Sequence, residues 1–501
     1  MNKLPCYHIQ TLAEGIVSLE CSNGEAIVSS DIREVLSFFV KNPAGCPLST
    51  PRFVWRVSDF YACLRQLLPD FAIKMLDDDN HRAIWDDYRL YNKPGKMFQV
   101  NVNHNEVLIY TLKQHLPDST PDPTSIDETQ ALSDRAVEAY ASLGVKEIKQ
   151  CHTPVAILED AGLLKDTYDN LPTYQGIPDG CLDYAMEVGG MLDTRREWNE
   201  CYQVGYFPEL WSADISSCYG YHASKLPSLE GATYKHSKNP VDSANFGFLK
   251  GTLTINPEHP FAFCSPIVYP VGNTVSNPVG TIAGYFSLEQ VRFIERSGMG
   301  TFVLKDGWWV TAGRGERPLA GIVDKFYKAR VGSDPLVSYL LKRAITGVIG
   351  RMGEWRKPSG QDYTPGPYFN PVYRSYIMTN ASLQVGQFLI NQQITPDELV
   401  LVGVDGIYTT RRLQLPPASD LGKWRDAGSL RLLMASFNTR FKDDDCDKVL
   451  DEIKSDPDTM VYPSLDLSVS RAQIDRRFKR YPKTGRELMK KKYQSEAIIL
   501  D

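Results

Sequence analysis

Two apolar segments, far apart along the chain, each deliver one aspartate at an end, and this constrains the fold more than any other feature. The first reads Leu210-Trp211-Ser212-Ala213-Asp214-Ile215-Ser216-Ser217-Cys218-Tyr219-Gly220. The second, Leu399-Val400-Leu401-Val402-Gly403-Val404-Asp405-Gly406-Ile407-Tyr408, has the pattern of strand, turn and strand. Taken alone, each aspartate is what a turn or cap uses. Brought together, they could hold two divalent cations that clamp the attacking and leaving oxygens of a phosphoryl transfer. Mg²⁺ suits such a site, because it takes hard oxygen ligands and accepts one or two carboxylates plus substrate phosphates.

A helix is predicted between the two aspartates. Ser333 or Asp334 is its N-cap and Pro335 its first residue, and Leu336, Val337, Leu340, Leu341, Ala344, Ile345 and Val348 follow at helical spacing. Lys342, Thr346 and Ile349 share one face, so a cation there could meet a triphosphate while the apolar side chain packs on a base. The plainer alternative is a solvated lysine on an amphipathic helix. A second helix is predicted over Val372–Asn391. Upstream, Tyr184-Ala185-Met186-Glu187-Val188-Gly189-Gly190-Met191-Leu192 carries a glycine pair that either lets another backbone approach or makes an ordinary turn.

The rest of the chain divides by texture. Residues 1–165 mix strand and helix patterns, with the clearest loop at Pro117–Thr124. Residues 166–225 read as short strands and turns, and 226–315, rich in Gly, Pro and β-branched residues, as a strand-rich insertion. A length of 501 residues accommodates roughly three domain-sized units. The net charge of −6 is unusual for a nucleic-acid binder, but it hides a basic C-terminal stretch. Between Arg471 and Lys492 ten Lys or Arg face two acids, which makes either a solvated tail or a grip on duplex phosphates. None of the ten Cys forms a C-x-x-C pair or sits near His at ligand spacing, which argues for reduced thiols rather than zinc. There is no signal-peptide pattern, no apolar run of about 18 residues, and no G-x-S-x-G, P-loop or H-E-x-x-H motif.

Asp214-Ile-Ser-Ser-Cys-Tyr-Gly resembles motif A of the family B DNA polymerases, D-x-x-S-L-Y-P. Lys342 to Gly350 resembles motif B, K-x-x-x-N-S-x-Y-G, and Gly403-Val404-Asp405-Gly406 resembles the D-T-D-S of motif C. Val188-Gly189-Gly190 stands where the Y-x-G-G motif belongs, and all four occur in the family's order. Gly284–Glu289, Asp324–Arg330 and Asn370–Tyr373 also resemble segments of the compact, protein-primed members.

The resemblance implies a multi-domain α/β fold, with a degenerate RNase H-like exonuclease domain (1–165) ahead of a right-hand polymerase. Its parts would be palm at 166–225 and 372–465, a first insertion at 226–315, fingers at 316–353, a short second insertion at 354–371, and a basic thumb at 466–501. It implies Asp214 and Asp405 as ligands of two Mg²⁺ or Mn²⁺ ions, and Tyr219 as the floor of the sugar pocket, excluding a 2′-hydroxyl. Ile215 would touch the nucleotide, Lys342 and Arg330 the triphosphate, and Ile349 the nascent base pair. Gly189 and Gly190 would let the template pass close to backbone, and Arg476, Arg477, Lys479 and Arg480 would hold the DNA backbone. The implied partners are primer-template DNA, dNTPs and a terminal-protein primer, in replication of a phage or plasmid element. The expected location is a bacterial host cytoplasm or an organelle, with no membrane association.

Several positions depart from the family pattern. Gly403 replaces the first Asp of motif C and Gly406 its Ser, and motif B has Thr346, Gly347 and Ile349 for Asn, Ser and Tyr. Leu421-Gly422-Lys423-Trp424 looks like the lead-in to the K-x-Y motif, yet that motif is unassigned. Arg440 is one substitute, and Lys479-Arg480-Tyr481 fits the letters but lies late. No D-x-E occurs before residue 31, while Asp59 and Asp134, the latter with Gln130 in place of Tyr, stand as remnants of the later exonuclease motifs. Proofreading is therefore expected to be absent. Only Glu354–Phe369 is available for the second insertion. Two readings remain: an active polymerase, or a catalytically weak descendant kept for binding or interaction.

Overall fold

The computed structural model describes residues 4–447, apart from 42–49, 79–80, 103–104, 150–152, 170, 172, 191–196, 204, 272–273, 357–363, 418–419, 435–439 and 444. The fold is mixed α/β with several separate sheets, and the chain divides into two compact units.

The first unit comprises Met1–Asp169 and Lys325–Val348. Its five-stranded sheet runs in the order Arg52–Val54, Asn105–Thr111, Met97–Val102, Tyr88–Lys93, Arg82–Trp85, and only the first pair is parallel. Helices Ile32–Val40 and Val57–Arg65 bury Phe39 and Phe60, which meet edge to face at 5.5 Å, and Phe60 meets Phe98 of the sheet at 5.6 Å. In the helix Pro335–Arg351 the N-cap is Asp334 rather than Ser333: its carboxylate accepts from the Leu336 N–H at 2.8 Å.

The second unit comprises Asn170–Asp324 and Ile349–Asp501. At its centre is an antiparallel six-stranded sheet, ordered Arg440–Lys442, Trp424–Met434, Gly205–Ile215, Gly406–Thr409, Leu399–Gly403, Asn199–Cys201. The helix Pro371–Asn391 buries Ala381, Val385 and Leu389 in the same core as Ala213, Val402 and Ile407 of this sheet. Residues 226–315 form a four-stranded antiparallel sheet and the helix Leu288–Arg296, whose start is a capping box of Ser287 and Gln290. Glu354–Phe369 contains a hairpin in which Trp355–Arg356 pairs with Thr364–Pro365.

One local expectation is corrected. Residues 166–225 are not mainly short strands and turns, because Asp179–Gly189 is a helix. Cys181, Leu182, Ala185 and Val188 recur at helical spacing and are buried. Gly190 ends this helix in the left-handed conformation, φ 60° and ψ 42°, which favours glycine.

Candidate active site

The two aspartates meet on the central sheet of the second unit. Asp214 lies near the end of strand Gly205–Ile215, directly across from Gly406. Asp405 lies in the tight turn between Leu399–Gly403 and Gly406–Thr409, and its carbonyl accepts from the Ile215 N–H at 3.1 Å. Both carboxylates act on one buried thiol. Burial pushes Cys218 well above its ordinary range, and the negative charges of Asp405 and then Asp214 reinforce the shift. Residues 214 and 405, distant in sequence, are thus brought next to each other along the backbone by strand pairing.

The backbone at this spot is unusual. Val404 has φ 62° and Ser217 φ 50°, left-handed values in non-glycine residues flanking the two aspartates. The Asp405 N–H reaches the Gly403 carbonyl at 2.8 Å, closing a three-residue turn around Val404.

Tyr219 opens the short helix Cys218–Ser224. Its ring packs against the sheet core, and its hydroxyl is buried with no hydrogen-bond partner among the described residues. Burial raises its pKa, with help from Glu197 and Asp405, while Arg374 acts in the opposite direction. Arg374, on the Pro371–Asn391 helix, also donates to the Ile349 carbonyl at 3.4 Å, so one cation lies close to both of these predicted nucleotide contacts. Ile349 and Ile215 are both buried. His222, one turn after Tyr219, donates from Nε2 to Gln384 Oε1 at 2.8 Å, and burial lowers its pKa to about 4.

The cation nearest Asp214 is one that motif spacing missed. Arg425 stands across from Asp214 on strand Trp424–Met434 and donates to its Oδ2 from Nη2 at 2.8 Å and from Nε at 3.2 Å. The Leu421–Trp424 segment holds it there. The Lys423 carbonyl accepts from the Ser216 N–H at 2.9 Å, Gln384 donates to the Gly422 carbonyl at 2.7 Å, and Trp424 stacks on Phe388 at 3.9 Å. A Cβ at Gly422 would lie 2.2 Å from the Tyr221 ring, so only glycine fits. No local sequence signal marks Arg425, because its role depends on cross-strand register.

The other expected residues lie on other elements. Lys342 is exposed on Pro335–Arg351, and Arg330 reaches Ser338 Oγ at 3.5 Å, one helical turn before Lys342, both within the first unit. Gly189 is buried at the end of its helix, and Gly190 is that helix's cap. Asp59 pairs with Arg56 at 3.6 Å, while Asp134 accepts from Gln130 at 2.7 Å. Arg476, Arg477, Lys479 and Arg480 lie outside the described residues, as does the side chain of Arg440.

Among the described residues no group of three or more His, Cys, Asp or Glu is arranged to hold a metal ion. Asp214 and Asp405 by themselves offer two carboxylates, fewer than such a group, and two carboxylates suit Mg²⁺ only where substrate oxygens complete its coordination. Among the described residues, too, no helix is long and apolar enough to cross a membrane.

No protein-family model and no curated protein matches this chain. Solved structures do. The orthorhombic crystal form of phi29 DNA polymerase matches with a TM-score of 0.55 at 11% identity, covering 88% of this chain and 87% of that one. The same polymerase with single-stranded DNA gives 0.55 at 13% identity, over 88% and 87%. Its ternary complex with primer-template DNA and incoming nucleotide gives 0.53 at 12% identity, over 87% and 86%. Over most of its length, this chain has a fold similar to that of phi29 DNA polymerase.

Proposed function

We propose that the chain is a template-directed DNA polymerase of the family B type, adding deoxynucleotides to a primer end. The observation that carries this reading is the adjacency of Asp214 and Asp405, joined through the Ile215 N–H to Asp405 carbonyl bond. Mg²⁺ or Mn²⁺ ions held by these carboxylates supply the positive charge that phosphoryl transfer needs. Tyr219, with its ring fixed in the core, walls the sugar site against a 2′-hydroxyl, and Ile215 and Ile349, both buried, shape the nucleotide site through packing rather than open surface. Lys342 and Arg330 bring charge to the triphosphate. Gly189 and Gly190 leave room for the template, and the basic segment containing Arg476, Arg477, Lys479 and Arg480 grips duplex phosphates. Catalysis on this reading is mostly positioning and charge. The substrates are primer-template DNA and dNTPs, with a terminal protein as the primer to be tested first. The exonuclease-like domain lacks proofreading on this reading, because Asp59 and Asp134 stand without a D-x-E partner.

Primer extension by the wild type and by Asp405→Ala tests it. The wild type incorporates dNTPs only with a divalent cation, and the variant loses at least about a hundredfold in rate. Equal incorporation by both ends the reading. A second reading, a polymerase-derived nucleic-acid-binding protein, is favoured by the Arg425 grip on Asp214 and by Gly403. Template binding with no incorporation under any divalent cation supports it instead.

A further inference from the structure

We propose that Arg425 sets the cation affinity of the Asp214–Asp405 pair, as a resident positive charge that a divalent ion must displace. The inference rests on the polymerase reading of the two aspartates. Both guanidinium donors, Nη2 at 2.8 Å and Nε at 3.2 Å, fall on the same oxygen, Oδ2 of Asp214. A divalent ion bound to that oxygen at about 2.1 Å would meet the guanidinium at close range, and two such charges repel strongly in a partly buried site. Arg425 can yield, because its side chain is 43% exposed and has solvent to swing into. Its backbone cannot, because register with Asp214, the Lys423–Ser216 bond and the Trp424–Phe388 stack fix where the side chain starts.

The charge balance explains why this matters here. Gly403 removes one carboxylate that the motif C resemblance leads one to expect. Asp214, Asp405 and Arg425 leave a single net negative charge, which the opposite charges of Glu197 and Arg374 near Tyr219 do not change, so the free site holds a divalent ion weakly. Arg425 is thus a positioning residue that acts through Asp214: it orients the carboxylate and keeps Oδ2 occupied until an ion competes for it.

Mn²⁺ binding to the full chain without nucleotide, followed by the electron paramagnetic resonance signal of the free ion, tests this apart from activity. Arg425→Gln is expected to bind Mn²⁺ roughly tenfold more tightly than the wild type, since it removes a positive charge beside the ligand. Asp214→Asn is expected to lose binding. Arg425→Met, without charge or donors, is a second variant should the Gln form fold poorly by circular dichroism. A role confined to folding would leave affinity unchanged or lower it. If both Arg425 variants bind no more tightly than the wild type while Asp214→Asn still loses the ion, the proposal fails and the polymerase site stands. If Asp214→Asn binds like the wild type, or no form binds Mn²⁺, the metal pair itself fails and the proposal with it.

Discussion

Val404 and Gly403 stand next to each other at the site, and the physical demands on them are opposite. A β-branched residue at φ 62° carries strain of about 1–3 kcal/mol and persists only where its surroundings impose it. Here the Val404 N–H donates to the Trp198 carbonyl at 2.8 Å, and the Asp405 N–H closes the turn. Gly403 needs no glycine: its φ is ordinary, and a Cβ there would meet nothing within 4 Å. Gly403→Asp is therefore expected to fold normally and to raise Mn²⁺ affinity about tenfold, since it adds a third carboxylate beside Asp405. Calorimetric titration checks the affinity, and a fall in thermal stability would show that the glycine is structural after all. At this scale Asp214 and Asp405 were legible, because an acid at an apolar strand end is a local pattern. Arg425 was not legible, because its partner is assigned by register.

The helix Pro335–Arg351 shows how an element follows from local chemistry while the cost of its individual residues is set by packing. Its start follows from local chemistry, Asp334 capping and Pro335 at the first position. Its two late glycines, Gly347 and Gly350, are equal by helix propensity, each costing about 1 kcal/mol relative to alanine. Packing separates them. A Cβ at Gly347 would lie 1.9 Å from Val155 Cγ2 on the helix Pro154–Asp160, within the same unit, whereas at Gly350 it would meet nothing. Gly350→Ala is expected to stabilise the protein by up to about 1 kcal/mol. Gly347→Ala is expected to destabilise it by about 1–3 kcal/mol through overpacking. Urea denaturation of the two variants distinguishes them, and equal shifts would contradict the packing account. The helix Asp179–Gly189 is the converse case: its apolar spacing is present in the sequence, but the glycine pair at its end fits a turn equally well.

On the scale of the whole molecule, charge is arranged unevenly. The net charge of −6 coexists with ten Lys or Arg between Arg471 and Lys492, a segment outside the described residues. If it grips phosphates, replacing Arg476, Arg477 and Lys479 with Gln should lower the slope of log affinity against log salt by about two to three. Filter-binding over a salt series measures it, and an unchanged slope would make the segment a tail without a part in DNA binding. The division into units is also a whole-chain property. Lys325–Val348 joins Met1–Asp169 although the sequence between them belongs to the other unit. Contiguous boundaries drawn from texture could not anticipate that grouping.

By itself the sequence determined the strand-ending aspartates, the capped helices, the order of the motifs and the basic C-terminal stretch. These are set by side-chain chemistry and by periodicity within a few residues. Only the tertiary structure decided that Asp214 lies across from Gly406 and Arg425, that Gly347 has no room for a methyl group, and that Arg374 lies close to both Tyr219 and Ile349. Those facts depend on which strands pair, in which register, and on which surfaces are pressed together. Antiparallel pairing between segments so far apart in sequence is a property of the folded core, and no local stretch of the chain encodes it.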